Sequence, residues 1–233
     1  MPPSNLRVER IELVVECGRG ASARFPWPHW VQDNGDEPPG HDPLLHVRAD
    51  ASVFVGEDEP GLLVLRGDAS PLEIGTFVAA LIEYGAPREE TLRALSAQAA
   101  LAKLVDLDGI VVAGGVRLYS ERGLEVAPGC CAGAESFSEW IAPRDESWSP
   151  WCGHDPGAYF TVRDDVIDVQ LEREVLRALD RASFEAALAT CAREARAFCG
   201  MLRRWLNERC TPEVASAIAA RIERDWGIGA EGL

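Results

Sequence analysis

The sequence predicts an α+β fold: antiparallel sheet, two central helices, and a C-terminal pair of antiparallel helices, the first of them long. Three observations predict it. Segments of strand period and helix period come in blocks and do not alternate singly, which disfavours a doubly wound sheet. Two helical segments in the middle are joined by a short link, so they must be antiparallel neighbours. From about residue 173 to 209 there is no proline and one glycine, and an apolar stripe runs through most of that length. No repeat of roughly 20–50 residues is visible. No Pro/Gly/Ser linker interrupts the chain, so residues 1–233 read as one composite domain. The alternative is an α+β body (1–172) with a helical hairpin (173–233).

The elements follow in order. In RVERIELVVE (7–16), Ile11, Leu13 and Val15 alternate with Arg10, Glu12 and Glu16, the pattern of a half-buried strand. Residues 24–43 hold five prolines and four acids and predict a long surface loop anchored by Trp27 or Trp30. Strands are expected at about 45–55 and 61–66. Ser70-Pro71-Leu72-Glu73 is a capping box with proline at the first helical position. Phe77, Val78, Leu81 and Ile82 form the apolar face of that helix, and Gly85 ends it. Pro87 starts a second helix carrying Leu92, Leu95, Ala99 and Leu104. GIVVAGGVRLYSERGLEVA (109–127) reads as a three-stranded meander, with turns at the Gly-Gly pair and at Gly123. YFTVRDDVIDVQL (159–171) reads as a hairpin around Asp164-Asp165. Phe184, Leu188, Cys191, Ala195, Phe198, Leu202 and Trp205 trace the stripe of the long helix. Thr211 caps a last helix with Pro212 at its start.

Charge narrows the classes of partner. The net charge is −15, and it is unevenly spread. Residues 1–70 hold 12 acids against 6 arginines, residues 71–176 hold 18 acids against 8 bases, and the C-terminal remainder is nearly balanced. Such a field repels nucleic-acid phosphates and attracts basic proteins. Arg193, Arg196, Arg203 and Arg204 lie off the apolar stripe and are expected to pair internally or be solvated. No apolar run reaches the roughly 18–20 residues that span a bilayer. The N-terminus is charged where a signal peptide needs an apolar stretch. The expectation is a cytoplasmic protein that binds neither membrane nor nucleic acid. All but one of the 23 basic residues are arginine, a skew typical of a GC-rich coding genome.

Seven cysteines in a reducing compartment are core residues, metal ligands or reactive thiols before they are disulfides. Cys191 and Cys199 share one face of the long helix and read as core. One stretch gathers other chemistry: PGCCAGAESFSEW (128–140), followed by PWCGHDPGAY (150–159). Cys130, Cys131, Cys152 and His154 have the ligand types of a closed zinc site. Their spacing is poor, because adjacent cysteines splay apart on an extended backbone. Cys130 or Cys131 with His154 and Asp155 has the types of a thiol nucleophile, its base and an orienting acid. The simplest alternative is that these cysteines pack as small hydrophobes. GHDP also occurs at 40–43, which favours a turn device, since aspartate before proline is extended and accepts backbone N–H groups. Phosphate loops, HExxH, GxSxG and paired CxxC motifs are absent from the sequence.

The run Pro128-Gly129-Cys130-Cys131, with Gly133, Glu135, Trp140 and Trp151-x-Gly153-His154-Asp155-Pro156, resembles a pattern in acidic bacterial proteins of about this size. Those proteins are associated with immunity proteins of bacterial toxin systems. The resemblance covers residues 123–169, about a fifth of the chain. In that pattern the position of Cys152 is often apolar and a third cysteine often stands at Ala132. Both departures weaken a zinc site that includes Cys152. They leave the two motifs as loops packed on each other with tryptophans between them.

The expectation is therefore a non-enzymatic protein that needs no cofactor and binds a basic partner, as an immunity protein binds a toxin. Asp33, Asp36, Glu37, Glu57, Asp58 and Glu59 would supply charge, with Trp27 or Trp30 as aromatic anchors. The alternative is an enzyme with a metal-assisted or thiol-based site at Cys130, Cys131, His154 and Asp155. A third possibility is a scaffolding subunit whose C-terminal helices pair with another chain.

Overall fold

A computed structural model describes residues 5–17, 27, 53–54, 61–85, 96–142, 148–154, 157–171 and 174–229. The fold is α+β with two antiparallel sheets. The first holds β1 (Val8–Glu16), β2 (Val53–Phe54), β3 (Leu62–Val64), β4 (Gly114–Ser120) and β5 (Gly123–Val126) in the order β2-β3-β1-β4-β5. The second is a meander of β6 (Ala158–Arg163), β7 (Val166–Leu171) and β8 (Glu174–Asp180). The helices are α1 (Pro71–Gly85), α2 (Ala97–Asp106), the one-turn α3 (Phe137–Ile141), the 27-residue α4 (Arg181–Asn207) and α5 (Pro212–Asp225). No helix among the described residues is long and apolar enough to cross a membrane.

Central strand β1 obeys its alternation. Ile11, Leu13 and Val15 are buried, while Arg10 lies over the Tyr119 ring and pairs with Glu12. Val14 is buried too, so this end of the strand is covered on both faces. The α1 capping box is reciprocal: Ser70 N–H donates to Glu73 Oε2 (2.6 Å) and Glu73 N–H to Ser70 Oγ (3.2 Å). Thr211 caps α5 through Val214 N–H, with Pro212 in the first turn. The second central helix is shorter than expected. Ser96 caps it and it starts at Ala97, while Pro87, Leu92 and Leu95 lie outside the described residues.

Two expected elements are corrected. Glu174–Asp180 is a strand and not the start of the long helix. It pairs along β7, and Leu6 bridges to Leu179 on its other side. Asp180 then caps α4 by accepting Ser183 N–H (2.8 Å). Gly114-Gly115 is not a turn. Both residues lie inside β4 opposite Val15 and Val14, and 109–112 forms no strand. The reason is close approach: a Cβ on Gly114, whose φ is +148°, would fall on the Val14 carbonyl oxygen.

α4 packs against β1, and α5 returns antiparallel along it, so Arg203 meets Glu223 (3.2 Å) and Arg196 reaches the Ile228 carbonyl (3.0 Å). Two of the helix arginines are thus paired internally. One core of buried apolar side chains runs from Leu6 to Ile228 and joins both sheets to the helices. Cys191 and Cys199 are part of it.

Candidate functional site

The sequence around Cys130 folds as a tight turn after β5. Ala132 N–H donates to the Gly129 carbonyl (3.1 Å), closing a four-residue turn with Cys130 and Cys131 at its corners. Cys131 takes φ +63°, whereas Cys130 has no positive φ. That is the backbone sense of a type II turn, which favours glycine or asparagine at the position Cys131 holds. The turn is docked on the start of β4: Gly114 N–H donates to Ala132 O (3.2 Å) and Ala134 N–H to Val112 O (3.0 Å). The chain then enters α3, whose Phe137 and Trp140 are fully buried.

The second motif is brought back by tryptophan. Trp148 is buried against Trp140, Phe160 and Phe184, and its indole N–H donates to Glu139 O (2.9 Å). Trp151 N–H donates to Glu139 Oε2 (2.8 Å). From that anchor residues 152–154 run beside the cysteine turn. Gly129 N–H donates to Cys152 O (2.6 Å), and His154 N–H donates to Cys130 O (3.1 Å). Trp151 Nε1–H reaches Cys131 O (3.3 Å), and its ring stands edge-on to His154 at 4.8 Å. Gly153 sits at φ +96° in the middle of this pairing.

The result sorts the four expected ligands. Cys130 Sγ, Cys131 Sγ and a ring nitrogen of His154 all lie within 4.8 Å of one another, and all three residues are exposed. Cys152 does not join them. It is 5 % exposed, and its thiol points to Pro150 O (3.4 Å). Burial, and secondarily the charge of Glu139, pushes that thiol up to about 12. The four-ligand set is therefore corrected to three, because the Trp148 anchor carries Cys152 inward while its neighbours face out. Asp155 lies outside the described residues. So do Trp30, Asp33, Asp36, Glu37, Glu57, Asp58 and Glu59.

Trp27 is also corrected as a surface anchor. It is 5 % exposed, with its indole N–H on Gly75 O (3.1 Å) and its ring edge-on to Trp205 at 5.5 Å. It fastens the chain to α1 and α4 from within. Trp140 and Trp148 are core, whereas Trp151 is 40 % exposed. Sequence reading passed over Glu139 and Tyr159. With Trp151, Cys152 and His154 they line a shallow cleft of about 340 Å³ beside the cluster. Glu139 carried a faint signal, an acid one position before a buried tryptophan. Tyr159 carried none.

Six of the seven thiols divide accordingly, and the half-buried Cys210, also raised by burial, falls between the two groups. Burial raises Cys17, Cys152, Cys191 and Cys199 to about 12. Near pH 8 such a thiol is ionised to roughly one part in ten thousand, and the thiolate is the nucleophile. A short pulse of iodoacetamide on the native protein is expected to modify Cys130 and Cys131 first and leave those four untouched until unfolding. Peptide mass spectrometry reads the order. Labelling of Cys152 as fast as Cys131 would show that the 148–154 segment does not pack as described.

Fold and site together define an α+β protein with two antiparallel sheets and a surface Cys-Cys-His cluster held between two paired loops. No family model, curated protein or solved structure matches the chain.

Proposed function

We propose that the chain is a non-enzymatic binding protein whose acidic surface engages a basic protein, and that this partner is a bacterial toxin it neutralises. The charge balance carries the reading. There are 38 acids against 23 basic residues, and much of the described basic set is engaged within the chain. Arg117 lies near Glu12, Arg163 pairs with Asp168, Arg203 with Glu223 and Arg221 with Asp225. Among the described acids, Glu9, Asp108, Glu121, Asp164 and Asp165 are exposed. Blocking a basic enzyme requires complementarity of surface and charge, and no catalytic group. The toxin assignment rests on the resemblance of residues 123–169 to immunity proteins.

The test is calorimetric titration with the proteins encoded beside its gene, at about 50 and about 500 mM salt. Screening of an electrostatic interface is expected to weaken binding at least about tenfold across that range. No binding, or an affinity indifferent to salt, would sink the proposal.

One observation favours a second reading. Cys130, Cys131 and His154 converge, which supports an enzyme with a metal-assisted or thiol-based site there.

A further inference from the structure

We propose that Cys130, Cys131 and His154 form a surface zinc site with three protein ligands and a fourth position open to solvent. The donor set selects the ion. Two thiolates and an imidazole suit a borderline-soft cation such as zinc, whereas calcium and magnesium take oxygen ligands. The distances fit with little movement. Zinc binds sulfur at about 2.3 Å and nitrogen at about 2.0 Å, so tetrahedral ligands stand roughly 3.5–3.8 Å apart. The three donor atoms already lie within 4.8 Å of one another. Rotation of exposed side chains closes the difference, and the backbone need not move.

The backbone explains how adjacent cysteines share one ion. On an extended chain their side chains diverge. The left-handed conformation of Cys131 (φ +63°) reverses the chain between them and lets both thiols face the same side. A residue with a Cβ adopts that conformation only at an energetic cost. His154 is delivered independently, by the hydrogen bond from its own N–H to Cys130 O. Trp151 flanks the site, one edge on the imidazole and its N–H on Cys131 O. Cys152 is not part of that cluster, because its thiol is buried and engaged by Pro150 O. Among the described residues no fourth protein ligand joins these three, and a three-ligand set is not that of a closed structural zinc site.

The experiment is a zinc titration of the full chain, reduced and stripped of metal, against a chromophoric chelator, with cobalt(II) as a spectroscopic stand-in. The expected result is one zinc per chain and a thiolate-to-cobalt charge-transfer band. Cys131→Ser and His154→Ala are each expected to weaken zinc by at least about 100-fold, more than loss of a supporting outer partner. Cys152→Ala is expected to leave zinc affinity and the cobalt spectrum unchanged. Circular dichroism of each variant separates lost ligands from lost fold, and the two ligand variants lie in different loops, so either one suffices. Zinc binding undiminished in both, or lost on Cys152→Ala with the fold intact, would overturn the proposal.

Discussion

Replacing Trp140 by alanine is expected to destabilise the protein by about 3–5 kcal/mol, the usual range for removing a fully buried large aromatic. The indole is 0 % exposed and sits where four parts of the chain meet. It is edge-on to Trp148 at 6.1 Å and to Phe160 of β6 at 5.1 Å, and it stacks on Phe184 of α4 at 6.4 Å. Offset and edge-on pairs add roughly 0.5–1.5 kcal/mol beyond area burial. The consequence reaches the surface, because Trp148 holds the segment that carries His154. Urea unfolding measures the loss, and native alkylation should then find Cys152 in the folded variant. Trp140→Phe is the informative companion. The Trp140 Nε1–H has no acceptor among the described residues, so that exchange gives up volume and no hydrogen bond, and a cost of about 1–2 kcal/mol is expected. Trp151→Ala, at an exposed position, should cost under about 1 kcal/mol. A Trp140→Ala variant as stable as the parent would mean that this aromatic cluster does not hold the two loops.

What could be read from the sequence was what local chemistry fixes. Ser70 and Glu73 satisfy each other's N–H groups three residues apart, so their spacing alone announces a helix start. Asp164-Asp165 turns the β6–β7 hairpin where the sequence places it, with Arg163 opposite Val166. Residues 174–180 failed because strand pairing overrides their local helix propensity. The run Glu-Val-Leu-Arg-Ala-Leu is rich in good helix formers, and it becomes a strand through pairing with β7 and a bridge to Leu6, over 170 residues away. Gly114-Gly115 failed for a similar reason, since a glycine pair marks both turns and close backbone approach, and only the position of Val14 decides between them. At the site, the residue types were legible and the geometry was not. Spacing argued against Cys130 and Cys131 acting together, and the left-handed backbone of Cys131 removed that objection. No neighbouring residue signals it, because the conformation is held by the docking of Ala132 onto β4 and of Ala134 onto Val112 just before it. Cys152 has a ligand's chemistry in the sequence, and its burial against Pro150 O is visible only in the fold.

Gly153→Ala is expected to cost about 2–4 kcal/mol, and its damage should be concentrated where the two loops meet. Two effects add. The residue sits at φ +96°, a conformation that side chains rarely adopt, which costs on the order of 1–3 kcal/mol. A Cβ there would also stand 2.6 Å from both Cys130 O and Gly129 C. These are backbone atoms of a turn already pinned to β4, so they cannot swing aside as a side-chain tip could. Relief requires the loops to part, which breaks the bonds from Gly129 N–H to Cys152 O and from His154 N–H to Cys130 O. His154 would then leave the cysteines, and zinc affinity should fall in protein that is still folded at 25 °C. Gly200→Ala is the contrasting substitution. Gly200 lies in the middle of α4, and the nearest atom to an added Cβ is the tip of Arg204 at 4.0 Å. Replacing glycine in a helix interior is expected to stabilise by about 0.5–1 kcal/mol. Chemical denaturation of the two variants, with zinc titration of each, tests the clasp as distinct from general sensitivity to glycine loss. If Gly153→Ala matched the parent in stability and kept its order of cysteine labelling, the close backbone contact between residues 129–130 and 153 would be wrong, and the three-ligand cluster with it.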